Sequence, residues 1–202
     1  MTILANFLYW LLLPILGLII EGGILFFLCY KKIPPSLLFL KKLYYFYFIF
    51  LIIYAFSLSG LNYYLWSKGE LTQKLLPPYT PLSYFFRYSF QYFYFEILLR
   101  LIFSLITFLG IHFLNKKFQQ KFFYEEEKYL AALSILILNW PMSFFYLILV
   151  PVLGLISHFL YFLIFKKLRR VSFLYFWSIT ALLVLLFNGI IIKIPFFQSL
   201  KV

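Results

Sequence analysis

The residues able to do acid–base, ionic or metal chemistry in this chain are few, and they begin the reading. All six acids are glutamates: Glu21, Glu70, Glu96, Glu125, Glu126 and Glu127. There is no aspartate, and only two histidines (His112, His158) and one cysteine (Cys29) accompany them. A single cysteine excludes an internal disulfide and a cysteine-rich zinc cluster. The histidines have no acidic or cysteine partner at ligand spacing, so no metal and no cofactor is expected. Glu96 and Arg100 stand four apart, the helical spacing that lets an acid and a base share a face and pair. Glu125, Glu126 and Glu127 precede Lys128 and an apolar run. That is an acidic helix start complementing the dipole, or an altered active-site position. Glu21 is flanked by Gly22 and Gly23, where another helix could approach closely; Arg100 or a wet groove is open to it as partner.

The elements positioning these residues must be membrane helices. Of 202 residues, 65% are hydrophobic and 12% charged, a composition that cannot cover a water-soluble fold. Apolar runs cover residues 3–30, 43–66, 92–114, 129–165 and 171–192, and each is long enough to cross a bilayer. The fourth is too long for one crossing, and Asn139-Trp140-Pro141 mark a hairpin turn within it. Pro77, Pro78 and Pro81 break the polar stretch 67–88. The expectation is an all-α polytopic transmembrane bundle of about six membrane-spanning helices, forming a single domain over residues 1–202. The first run lacks a basic start and a small-residue cleavage site, so it reads as a retained helix.

The formal charge of +12 is written as topology, giving no reason to expect nucleic acid. Twelve of the 18 basic residues fall in three alternate loops: Lys31 to Lys42, Lys116 to Lys128, and Lys166 to Arg170. The positive-inside rule places these loops in the cytoplasm and both termini outside.

Three segments, in order, resemble the type IV prepilin leader peptidases, the G-x-G-D membrane aspartic proteases of pilus assembly and protein secretion. Gly23 to Pro34 compares with G-S-F-L-N-V-x-x-x-R-x-P, with Gly23, Lys32 and Pro34 in place. Gln91 to Leu98 compares with R-Y-P-L-V-E-L-L, keeping Tyr92 and Glu96. Phe123 to Ser134 compares with G-x-G-D-V-K-L-L-A-A-L-G, matching Lys128 and the L-A-A-L run. Residues 1–114 thus resemble the N-terminal part of the family and 115–202 its G-x-G-D part. Further on, Gly154, the 166–170 cluster and Ser172 to Trp177 fall where the family has a Gly-bearing helix, a basic loop and P-F-G-P-F-L.

The resemblance implies an inner (cytoplasmic) membrane location, a groove opening to the cytoplasm near Glu126, and pilin-like or pseudopilin precursors as partners besides the lipid bilayer. Glu126 takes the position of the G-x-G-D aspartate. Phe123 and Glu125 replace both family glycines, and Gly110 falls in the slot of the other aspartate. A dyad needs two carboxylates sharing a water, one as acid and one as base. The expectation is therefore a pseudoenzyme that binds apolar helices without cleaving them. The alternatives are a small transporter or channel built round Glu96 and Arg100, or a structural subunit of a membrane assembly.

Overall fold

A computed structural model describes residues 13–30, 35–119, 123–166, 173–191, 193 and 195. Among them there are helices and connecting turns but no strand: α1 (Leu13–Tyr30), α2 (Leu37–Lys68), a 3-10 turn (Thr72–Leu75), α3 (Leu82–Ser89), a π-helical turn (Phe90–Tyr94), α4 (Phe95–Lys117), α5 (Glu125–Ile137), α6 (Met142–Phe165) and α7 (Leu174–Ile191). α3, the π turn and α4 form one uninterrupted helix, Leu82–Lys117. With α1, α2, α6 and α7, that makes five described helices long and apolar enough to cross a membrane.

Helix boundaries follow local chemistry. Ser36 caps α2, its hydroxyl accepting from the Phe39 N–H at 3.3 Å. The Pro-rich stretch ends the helical run later than the apolar pattern suggests and restarts it earlier. α2 continues through Lys68, and Pro81 stands immediately before a helix that begins at Leu82, ten residues ahead of the apolar run at Tyr92. A proline is compatible with the entry to a helix, where its missing N–H leaves no hydrogen bond unmade.

Each long helix buries one stripe and turns the rest outward. On α1 the buried residues are Leu13, Gly17, Glu21, Ile24 and Leu28, three or four apart. On α4 they are Ile97, Arg100, Ser104, Ile111 and Asn115. The outward faces carry large apolar side chains such as Ile19, Phe46, Ile106, Phe113 and Leu155. In water such surfaces would drive aggregation; in lipid they are the solvated faces.

α5 differs, because it is buried all round from Glu127 to Ile137. It packs chiefly against α4 and α2, then α7, and less against α1 and α6. Three hydrogen bonds lash it antiparallel to α4: Asn115 Nδ2 donates to the Tyr124 carbonyl (3.3 Å), Ser104 Oγ to that of Ala132 (2.9 Å), and the Trp140 N–H to Glu96 Oε1 (3.2 Å). From Asn115 to Glu96 is about 28 Å along α4 at 1.5 Å per residue. The 13 residues of α5 cover about 20 Å. The non-helical Leu138, Asn139 and Trp140 cover roughly 10 Å more at about 3.3 Å each. Helix and extended tail together therefore match the helix they lie on.

Candidate functional site

The segment compared above with the G-x-G-D pattern is the entry and body of α5. In its first turn the Glu125 carboxylate is engaged by Lys128 Nζ. Glu126 is half-buried, and Glu127 is fully buried. Lys128 is itself buried, its ammonium 5.8 Å from the Phe108 ring centroid and 5.4 Å from that of Tyr129. The aromatic faces and Glu125 together hold a cation that would be costly alone. Phe123, in the first glycine position of the motif, packs its ring against Phe173 (5.6 Å) and Trp177 (6.3 Å). Phe173 also lies where a Cβ on Gly154 would be, 2.2 Å from its Cε1, so α6 and the start of α7 approach closely there.

Gly110, in the slot of the second aspartate, is exposed on α4, and a Cβ there would meet nothing within 4 Å. A side chain at 110 would thus point away from α5. Gly22 and Gly23 likewise face open space, so the close approach expected beside Glu21 is not theirs. It belongs to Gly17, where a Cβ would stand 2.4 Å from Ile137 Cγ2. The helical period explains the correction: Gly17 is four residues from Glu21 and shares its face, whereas Gly22 and Gly23 turn from it. Lys32 and Pro34, the other matches in that motif, lie outside the described residues.

Glu21 is partnered by Ser134 of α5, in place of the expected Arg100 or wet groove. Its Oε1 accepts from Ser134 Oγ at 2.6 Å, with both residues fully buried where α1 meets α5. That hydroxyl also lies 3.0 Å from the Leu130 carbonyl. Ser178 of α7 sits near the carboxyl without a hydrogen bond of ordinary geometry, and Tyr47 and Tyr146 lie within its electrostatic reach. A serine opposite a buried glutamate on another helix is a contact that spacing within one helix cannot supply.

Glu96 and Arg100 pair at 2.5 Å, Arg100 being fully buried and Glu96 partly so. The same Glu96 oxygen takes the Trp140 N–H, one of the backbone donors left where α5 stops being helical. The pair thus satisfies a backbone donor just past the end of α5, where an N–H turned away from water and left unmet would be expensive.

At the opposite end of α4 a pocket of about 410 Å³ is lined by His112, Asn115, Lys116, Gln119 and Glu125. Glu125, and not Glu126, lines it. A second, almost wholly apolar groove of about 230 Å³ lies between α2 and α4 where the π turn widens the helix, lined by Ala55, Phe56, Phe90, Tyr94, Ile97 and Leu98 among others. His158 is half-buried on α6, and Cys29 is exposed on α1. Among the described residues, no three His, Cys, Asp or Glu side chains group closely enough to hold a metal ion.

Fold and site together define a multi-pass helical membrane protein with one helix enclosed by the others. No family model matches the chain, and no match is found among the curated proteins or the solved structures.

Proposed function

We propose that this chain is a membrane protein of the prepilin leader peptidase lineage that no longer cleaves and that holds an apolar, pilin-like helix against its own. One observation carries the reading. The segment that resembles the G-x-G-D motif forms α5, the enclosed helix, with Glu126 at its entry and no second carboxylate brought opposite it among the described residues. Glu125 is bound by Lys128. Glu21 meets α5 at Ser134, about 12 Å along the helix from Glu126 at 1.5 Å per residue. Phe123 fills space at the motif's first glycine with a ring packed against Phe173 and Trp177. These features favour a retained scaffold over a working dyad.

The apolar groove between α2 and α4 is the place for the bound helix. It opens on the lipid-facing side, and its lining offers almost no polar atoms, as a transmembrane segment requires. The use of Glu96 by Arg100 and the Trp140 N–H favours a structural clamp over a transport path. The topology that goes with this reading has six crossings, the sixth made by α5 and its extended tail within a shield of lipid-exposed helices. Both termini are outside and the basic loops face the cytoplasm of an inner-membrane protein.

The test is site-directed photocrosslinking with a benzoyl-phenylalanine at Phe56 or Leu98, and at Leu155 on α6 as control, with a pilin-like precursor co-expressed. The reading requires adducts from the groove positions and not from Leu155. Equal adducts from all three, or none from the groove, would refute helix binding there.

A further inference from the structure

We propose that the pocket at the Lys116 end of α4 binds the headgroup of an anionic phospholipid bearing free hydroxyls, phosphatidylglycerol being the simplest. The proposal stands independently of the peptidase lineage.

The first observation is an unmet acceptor. Asn115 lines the pocket and is only 3% exposed. Its Nδ2 donates to the Tyr124 carbonyl, while its Oδ1 is buried without a hydrogen-bond partner. Such an acceptor calls for a donor, and a headgroup hydroxyl supplies one once the Asn115 amide turns toward the pocket it lines.

Charge is the second. Lys116 and Glu125 both line the pocket, but Glu125 is engaged by Lys128. Lys116 therefore brings a positive charge that the lining does not neutralise, matched by one phosphodiester. A zwitterionic ethanolamine headgroup would add a second cation beside it. His112 and Gln119 complete a polar lining suited to phosphate and hydroxyl oxygens.

The third observation commits the occupant to a lipid. Leu109, His112, Phe113 and Lys116 share one exposed face of α4, at the i, i+3, i+4 and i+7 spacing. The two polar members line the pocket, and the apolar ones lead away from it. Toward the bilayer centre the exposed surface continues through Leu105 and Ile102. A molecule with its phosphate at Lys116 has an acyl-chain track directly below it. Basic pockets between helix ends at a membrane surface are recurrent headgroup sites.

The experiment uses the full chain, purified and delipidated in neutral detergent, with thermal stability followed as lipid is titrated into the micelles. Phosphatidylglycerol should raise Tm saturably, while phosphatidylethanolamine and phosphatidylcholine should give little. Lys116→Gln should weaken the apparent phosphatidylglycerol affinity about fivefold, as expected for one lysine at an anionic surface. Lys68→Gln, at the far end of α2, should leave it unchanged. An equal shift from phosphatidylethanolamine, or an undiminished response in Lys116→Gln, would overturn the proposal. So would inorganic phosphate or glycerol phosphate reproducing the shift, since that would make the site one for a soluble anion.

Discussion

Replacing Arg100 by Leu should harm the protein more than replacing Arg100 and Glu96 together. Arg100 is fully buried and its Nη2 lies 2.5 Å from Glu96 Oε1, whose side chain is 19% exposed. Removing the guanidinium alone leaves a largely buried carboxylate without its counter-charge, a loss of about 3–5 kcal/mol for buried pairs. The Arg100→Leu/Glu96→Leu double variant removes both charges and retains one defect, the Trp140 N–H that Glu96 accepts at 3.2 Å. A buried unmet donor costs about 1–3 kcal/mol. Packing lost around position 100 is common to both variants and cancels in the comparison. The double variant should therefore be more stable than the single by about 2 kcal/mol. Arg100→Leu with Glu96→Gln should do better still, because the amide oxygen keeps an acceptor for Trp140. Reversible unfolding in mixed micelles, followed by tryptophan fluorescence, measures the series. A single variant as stable as the double would refute the charge argument; equal loss in the Leu and Gln doubles would refute the backbone role of Glu96.

Three further outcomes are expected. Gly17→Ala should destabilise by about 1–3 kcal/mol, because its Cβ would enter the space of Ile137 Cγ2, whereas Gly22→Ala and Gly23→Ala should be neutral or slightly stabilising. Detergent melting curves of the three compare them directly. Ser134→Ala should cost about 1–3 kcal/mol by removing the hydroxyl from Glu21 Oε1, and adding Glu21→Leu should recover part of the loss; a second mutation that only deepens the loss would contradict the pairing. Cysteines placed at Lys74 and at Lys116, with Cys29 replaced by Ser, should react with a membrane-impermeant maleimide from opposite sides of the membrane, and labelling of both from one side would remove the proposed topology.

The sequence made the helices legible because apolar run length alone separates lipid-spanning segments from connections. It also made Glu96 and Arg100 legible as neighbours, since i, i+4 spacing is local. It could not show that α5 is enclosed. Tyr129 to Ile137 is apolar but for Ser134, and in lipid an outward face is as apolar as an inward one, so patterning carries no burial signal. The same loss of contrast hid Gly17 behind the more conspicuous Gly22-Gly23 pair. Glu21 and Ser134 are 113 residues apart, a contact that only the packing of α1 on α5 creates. Phe123 reads as a bare departure from a glycine motif until its ring is seen against Phe173 and Trp177.

The proposed peptidase-like scaffold without cleavage is put to the test by incubating the purified chain in detergent with a pilin-type precursor from the same organism and resolving the leader by mass spectrometry. Intact precursor is expected with both the wild-type chain and Glu126→Gln, because among the described residues no second carboxylate faces Glu126 to complete a dyad. Cleavage at the leader junction by the wild-type chain, abolished in Glu126→Gln, would contradict the proposal.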